Sequence, residues 1–390
     1  MNEYTILPLM NSTFMPGNAA KTIDAFQDTD IRNIAQAEFC YFKGDAKACS
    51  RIVEQYLMSP RIELRLSACT LSAFSNLTLG NISVAKSRLE EMKNFAKLGN
   101  CLETQSLNFN AGGNLTHDSS QYNVTDKHKI IADIDSKVEN ESSNTAVSGG
   151  LVEGGYTSRI SFKESRAFCI FAGYLGSVLL HLPAEGFPSL QPYIKDLPQG
   201  LRLFAIYIMA HAAYLKGDYG RAVGMCQSPL LLCDKVYPIS VTYLHCMIAM
   251  CEINLKHIKA AQKALLIAWN NSKKDGFIEP FIEHHGLLQG LIESCIKNED
   301  PKVYARLSEA VRSFSVGWMK VHNKAAQNTV TDQLTTMEFS IAMLAARDWS
   351  NQEIADHMGI SINTIKHYLS DIFLKIGVKK RSELKDYVLK

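Results

Sequence analysis

The sequence predicts an all-α protein in two parts, a long helical region followed by a small helical domain at the carboxy terminus. Apolar residues recur three and four positions apart from about residue 31 to 102, and again from 162 to 321. A glycine-centred motif recurs within these stretches, and 334–390 divides into four short capped helices. A chain of 390 residues also suits two or three domains rather than one.

The recurring motif predicts helix hairpins. It consists of an aromatic or aliphatic residue, two further residues, Gly, Asp or Asn, and then Ala three or four positions later. It occurs at Tyr41, Gly44, Asp45 and Ala48; at Leu77, Gly80, Asn81 and Ala85; and at Tyr214, Gly217, Asp218 and Ala222. A weaker copy has Leu255, His257 and Ala260. The glycine would make each turn, and the small Ala would let two helices approach closely.

The repeats resemble degenerate tetratricopeptide repeats. The first two glycines are 36 residues apart, and Gly217 lies 40 residues before His257, periods that suit a helix hairpin. The resemblance implies a helical-repeat domain over 1–321, used as a sensor or interaction domain. An irregular helical bundle with ordinary glycine caps is the alternative, and it too is all-α.

Two segments of the chain do not continue the helical pattern. Residues 103–158 are rich in Asn, Ser, Gly and Thr, so they cannot bury enough apolar surface to offset their ordering entropy. We predict a flexible low-complexity insertion there. HNKAAQNTVTDQ, 322–333, is predicted to be a linker between the helical domain and the carboxy-terminal domain, 334–390.

Capping signals divide the carboxy-terminal domain into four helices. Thr335 can cap the first helix, Ser350 the second and Ser361 the third. The third helix, predicted over 362–376, has a buried stripe at Ile365, Leu369, Ile372 and Ile376. A second face carries side chains that can all form hydrogen bonds: Asn363, Lys366, His367 and Ser370.

The segment SNQEIADHMGISINTIKHYLSDIFLKIGVKKRSELKDYV resembles the LuxR-type (NarL/GerE-like) helix-turn-helix family. Members typically have SNKEIA, then IS-x-x-TVK-x-H, I-x-x-KLGV and R-x-E. The residues of this chain at the matching positions are 350–355, Ser361, 364–366, Ile372, 375–378, Arg381 and Glu383. The chain departs from the pattern at several positions. The family's opening L-T-x-R-E-x-E has lost one Arg and one Glu, and Asp348, Gln352 and Tyr368 replace the usual Gly, Lys and His.

The resemblance implies that the third helix lies in the major groove of double-stranded DNA. Lys366 is then the candidate for a guanine edge or a nearby phosphate, and Asn363 and His367 are candidate base readers. Candidate phosphate contacts are Thr364, Lys375, Lys379, Lys380 and Arg381. The family also implies a homodimer on DNA that meets through the fourth helix, around Glu383, Leu384, Tyr387 and Val388.

The distribution of charge supports a local DNA contact. The chain has 41 basic and 39 acidic residues, so its net charge of +2 provides no overall attraction to DNA. Residues 366–390 carry seven basic and three acidic side chains, whereas 334–365 carry one basic and four acidic. A solvated helix face is the alternative explanation for an isolated basic cluster.

No enzyme, cofactor or metal site is expected. There is no phosphate-binding G-x-x-x-x-G-K-[ST] motif, so the ATPase module of the larger LuxR-type regulators with helical repeats is missing, and no segment resembles a receiver domain. The phrase GFIEPFIE resembles one in the helical repeats of those larger regulators. The cluster Glu279, Glu283, His284 and His285 is predicted to be a helix-surface group near a turn rather than a metal site.

The remaining features favour a cytoplasmic protein. The ten cysteines are scattered without C-x-x-C spacing, which indicates reduced thiols. The first residues lack the pattern of a signal peptide, and the longest apolar run, 168–182, is too short to span a membrane. We therefore predict a sequence-specific transcription regulator controlled by a metabolite or protein effector. A protein-interaction adaptor with secondary DNA binding is the alternative, and a hydrolase or transferase is disfavoured because no nucleophile–base spacing is present.

Overall fold

A computed structural model describes residues 6–94, 161–179, 189–322 and 334–388. Within these residues every regular element is a helix, as the sequence predicted. The predicted insertion at 103–158 lies outside the described residues, as does the predicted linker apart from His322. None of the helices in the described part of the chain combines the length and the apolar character that crossing a membrane requires.

The helical region, which comprises the described residues up to His322, contains thirteen helices. They are α1 Ala19–Asp24, α2 Thr29–Phe42, α3 Ala46–Val53, α4 Ile62–Thr78, α5 82–94, α6 Phe162–Leu179, α7 Gln199–Leu215, α8 Tyr219–Leu232, α9 Pro238–Asn254, α10 Ile258–Ser272, α11 Glu279–Glu283, α12 Leu291–Cys295 and α13 Pro301–His322. Two 3₁₀ turns, Glu54–Tyr56 and Gln191–Asp196, lie between them. The carboxy-terminal domain has α14 Thr336–Ala346, α15 Asn351–Met358, α16 Ile362–Ile376, a 3₁₀ turn Arg381–Leu384 and α17 Lys385–Val388.

Four hairpins in the helical region use the predicted turns. The pairs are α2 with α3, α4 with α5, which hydrogen bonds from Arg65 to Glu91 and from Thr70 to Met92 join, α7 with α8, and α9 with α10. Gly44, Gly80 and Gly217 make the first three turns in the left-handed region, with φ of 80°, 77° and 77°. In the fourth turn Lys256 adopts this conformation, with φ of 60°. The weaker copy of the motif was therefore misaligned, because Lys256 takes the place of the glycine and His257 that of the capping Asp.

The small residue that lets the paired helices approach lies four positions after the capping residue. Cys49, Ala85, Ala222 and Ala261 occupy this position, and each is fully buried. The motif as predicted from the sequence included Ala48 and Ala260, but Ala48 is only partly buried and Ala260 is exposed. The hairpins are thus established for the described residues, while their classification as tetratricopeptide repeats stays a prediction.

The amino-terminal segment before α1 packs into the helical region, which no periodic pattern indicated. The buried carboxylate of Glu38 accepts hydrogen bonds from the backbone amides of Leu9 and Met10, at 2.8 and 3.0 Å. Burial raises the pKa of Glu38 to about 8. Asn11 Oδ1 accepts a hydrogen bond from the amide of Leu201 at 2.9 Å. The segment therefore connects the first hairpin to the start of α7.

Candidate nucleic-acid interface

Local capping interactions position the helices of the carboxy-terminal domain. Thr335 and Glu338 form a capping box at α14, and Ser350 and Glu353 form a second one at α15. Ser361 Oγ accepts from the amide of Thr364 at 3.1 Å, which caps α16. The helices observed at 351–358 and 362–376 are those that the sequence predicted.

The two faces of α16 differ as predicted. Its buried stripe consists of Ile365, Leu369, Ile372 and Ile376, none more than 6% exposed. The opposite face is open to solvent along about two turns and presents Asn363, Thr364, Lys366, His367 and Ser370. Ser370 Oγ donates to the carbonyl of Lys366 at 3.0 Å, so this hydroxyl is partly engaged by its own helix. That these side chains contact DNA stays a prediction.

Lys375, whose predicted phosphate contact stays a prediction, forms an ion pair within the domain. Its Nζ lies 2.7 and 2.8 Å from the two carboxylate oxygens of Glu338, which is 5% exposed. Burial alone would raise the pKa of Glu338, but the bonds from Lys375 and Thr335 hold that pKa below its usual value. The ion pair joins the end of α16 to the start of α14. Sequence alone could not show this, because the partner lies 37 residues away.

Arg381 was also predicted to contact phosphate, and it too has a structural position. Its guanidinium donates to the carbonyls of Ala345 and Trp349 and to Asn351 Oδ1, the last at 2.7 Å. Burial lowers the pKa of the guanidinium. Lys379 and Lys380, by contrast, are both exposed. The two lysines are thus open to solvent beside α16, and the phosphate contacts of Arg381, Lys379 and Lys380 stay predictions.

One of the four residues predicted to form the dimer surface, Leu384, is not accessible on the surface of the domain. The side chain of Leu384 is fully buried in the core of the domain, so it cannot form an intermolecular contact without unfolding the turn. Tyr387 is 38% exposed, and Glu383 and Val388 are partly exposed. Glu383 accepts from the amide of Lys379 at 2.9 Å, which orders the turn before α17.

The Glu279–His285 cluster, predicted to lie on a helix surface, is largely inside the protein. Glu279, His284 and His285 are 0%, 1% and 3% exposed. The prediction was wrong because α11 is only five residues long and is covered by α2, α9 and α13. No cluster of three or more metal-binding side chains occurs in the described ranges.

Hydrogen bonds connect this buried cluster to distant helices. Glu283 accepts from Tyr243 Oη at 2.9 Å and from Tyr41 Oη, and burial raises the pKa of Glu283 to about 7. His284 Nε2 lies 2.7 Å from Tyr207 Oη, and burial lowers the pKa of this histidine to about 4. The cluster therefore joins α11 to α2, α7 and α9 in the core of the helical region.

Comparison with known proteins places the carboxy-terminal domain in a family. Residues 332–388 match the family described as bacterial regulatory proteins, luxR family. The chain is 29% identical to the HTH-type transcriptional regulator AlkS of Pseudomonas putida over 129 residues, which cover 32% of this chain and 14% of AlkS. It is 34% identical to the probable transcriptional regulatory protein SgaR of Hyphomicrobium methylovorum over 89 residues, or 22% of this chain and 41% of SgaR.

A third relative is a response regulator. The chain is 30% identical to the response regulator protein VraR of Staphylococcus aureus (strain NCTC 8325 / PS 47) over 116 residues, which cover 27% of this chain and 54% of VraR. The chain thus spans only 14% to 54% of the lengths of these three relatives. No solved structure matches the chain. The matched family consists of transcription regulators and not of enzymes. The chain, all-helical in the part that the structure describes, therefore carries at 332–388 a helix-turn-helix domain of the luxR family of bacterial regulatory proteins.

Proposed function

We propose that the chain is a cytoplasmic, sequence-specific transcription regulator that places α16 in the major groove of double-stranded DNA. The observation that carries the proposal is the open polar face of α16, opposite a stripe that is fully buried. A helix held in this way by its own domain can enter the groove without losing core contacts. We also infer that the helical region controls this activity in response to a metabolite or a protein effector.

The side chains on the open face divide by chemistry. Lys366 is long enough to reach a guanine edge, and Asn363 and His367 can pair with base edges on either side. Thr364 lies at the amino end of α16, where a phosphate is favourably placed. Lys379 and Lys380 follow the helix, and their exposed ammonium groups suit phosphates on the flanking backbone.

Replacing Lys366 is expected to remove specific binding. The probe is a duplex that the wild-type chain selects from a random-sequence pool, and its dissociation constant is measured by gel shift against a random duplex. Lys366→Ala should weaken binding to the selected duplex by about 1–3 kcal/mol and random binding much less, because base-edge contacts discriminate between sequences. Lys380→Ala should weaken both and lower the salt dependence, since a phosphate contact releases a counterion.

Lys375→Met is the matched control, because it removes a lysine from the same helix whose ammonium is bound by Glu338. It should leave the salt dependence of DNA binding unchanged. A wild-type chain that selects no sequence would refute the proposed function. Equal loss on both duplexes for Lys366→Ala would refute the base-reading role alone.

The bound form is expected to be a homodimer. One domain of this size offers few base contacts, and Tyr387, Glu383 and Val388 form a surface that α16 does not use. Two domains meeting there should recognise half-sites about one DNA turn apart. Sedimentation of the complex with the selected duplex should give two chains per duplex. Tyr387→Glu should reduce this to one, whereas a single wild-type chain per duplex would contradict the dimer.

A further inference from the structure

The carboxy-terminal domain packs against the helical region through a buried contact that no sequence pattern indicated. His357 of α15 is 3% exposed, and its Nε2–H donates to the carbonyl of Gln289 at 2.9 Å. Next to it, a Cβ atom on Gly290 would lie 2.4 Å from Met358 Sδ. The Met358 side chain therefore packs directly on the Gly290 backbone, and an added methyl group would displace it, at a position where φ is already 80°.

A second contact lies at the turn between α9 and α10. Lys256 Nζ lies 2.9 Å from Glu353 Oε1 and 5.5 Å from the centre of the Trp349 ring. Arg347 Nη1 donates to Asn254 Oδ1. We call these contacts the interdomain joint; its members are Asn254, Lys256, Gln289 and Gly290 in the helical region, and Arg347, Trp349, Glu353, His357 and Met358 in the carboxy-terminal domain.

Backbone strain is concentrated at this joint. Among the described residues, the non-glycine residues with positive φ are Leu7, Lys256, Gln289 and Asp348. Lys256 and Gln289 belong to the joint, and Asp348 lies between Arg347 and Trp349. Side chains rarely adopt this conformation, and it persists only where the surrounding contacts hold it. The joint is therefore a specific interface, whose helical side includes two left-handed positions, Lys256 in the turn between α9 and α10 and Gln289 beside Gly290.

The helical side of the joint is connected directly to the buried cluster described above. Residues 284–290 run from the end of α11, which carries Glu279 and Glu283, to the joint. The buried pair between His285 Nε2 and Glu293 Oε1, at 2.7 Å, closes this turn on itself. A displacement of α11 would thus be transmitted to Gln289 and Gly290 instead of being absorbed in a loose loop.

The joint leaves the DNA-contact face free. Lys366, His367 and the neighbouring polar side chains of α16 are exposed while the joint is closed, and so is Tyr387. The helical region therefore does not block α16. Control through this contact has to act on the orientation of the carboxy-terminal domain, because access to its DNA face does not change.

We propose that the interdomain joint is a conformational switch. When the joint is closed, it holds the carboxy-terminal domain in the one orientation that suits an operator with two half-sites. When the joint opens, the carboxy-terminal domain can reorient. This inference rests on the proposed function, in which the helical region controls DNA binding. The closed joint is the binding-competent state. An effector that moves α11 opens it through residues 284–290.

Gly290→Ala in the full chain tests the switch, with Gly217→Ala as its matched control. Both glycines are left-handed, with φ of 80° and 77°, but nothing lies within 4 Å of a Cβ atom at Gly217. Hydrogen exchange by mass spectrometry should show amides of α15 exchanging at least about tenfold faster in Gly290→Ala and unchanged in Gly217→Ala. Binding to the selected duplex should fall about tenfold, and binding to random duplex should stay within twofold.

Lys256→Glu is the second variant, in case Gly290→Ala does not fold. It retains the turn but repels Glu353, and it should open the joint in the same way. If the amides of α15 exchange at the wild-type rate in the folded joint variants, the interdomain joint does not exist in solution. If the amides of α15 exchange faster but the affinity for the selected duplex is unchanged, the joint opens without controlling DNA binding, and the proposed switch is wrong. The exchange measurement needs no DNA, so it remains decisive even if the wild-type chain selects no sequence and the proposed function fails.

Discussion

Gly200→Ala is expected to destabilise the helical region by about 3 kcal/mol, because the added methyl group has no space. A Cβ atom on Gly200 would lie 2.4 Å from the carbonyl oxygen of Met10 and 2.8 Å from the Cα of Asn11. Both are backbone atoms, so no side-chain rotation can relieve the overlap. The amino-terminal segment would have to move away, and the bond from Leu201 to Asn11 would be lost with it.

Gly224→Ala is the control for this variant. Gly224 lies within α8, is exposed, and has nothing within 4 Å of an added Cβ atom. Alanine there should stabilise the protein by about 0.5–1 kcal/mol, because glycine is the poorer helix former. Urea unfolding followed by circular dichroism measures both. Equal stability of the two variants would mean that the amino-terminal segment does not pack on α7 in solution.

Glu283→Gln is expected to gain stability relative to the wild-type protein as the pH rises from about 4.5 to above 7. Burial raises the pKa of Glu283 to about 7 from 4.5 in an unfolded chain. Below pH 4.5 both states hold the proton, so the contribution of the neutral acid is fully present. Between pH 4.5 and about 7 the Glu283 carboxyl ionises only in the unfolded state. The wild-type protein therefore loses stability as the pH rises, by roughly 3 kcal/mol in all, whereas Glu283→Gln does not.

The reason for choosing glutamine is that it keeps the hydrogen bonds of the neutral acid. Its amide can accept from one tyrosine hydroxyl and donate to the other, Tyr41 and Tyr243. Glu279 is present in both proteins, and burial and the nearby Glu283 raise its pKa well above the usual value. Glu309→Gln is the control, since Glu309 is 68% exposed. Urea unfolding at pH 5, 6, 7 and 8 should show the gap to the wild type widening for Glu283→Gln only, and parallel curves would rule out a buried neutral Glu283.

The sequence by itself determined the carboxy-terminal domain almost element by element. Ser350 and Ser361 begin helices because their hydroxyls accept from amides three residues on, and Gly377 ends α16 in the left-handed conformation. The buried stripe of α16 follows from the helical period alone. These features depend on residues within one or two turns of each other, so a linear pattern contains all the information that they need.

Only the tertiary structure decided which charged and polar residues serve the fold. Lys375 and Arg381 are basic residues of the kind that contact phosphate. In the structure each also binds a side chain of its own domain, Glu338 and Asn351, which lie 37 and about 30 residues away. Glu283 and its neighbours are enclosed because separate helices converge on α11. Lys256, which stands where the other hairpin turns have glycine, has its ammonium group beside Glu353 and Trp349 of the other domain. In each case the environment comes from residues distant in sequence, and burial and pairing depend on that environment rather than on the local pattern.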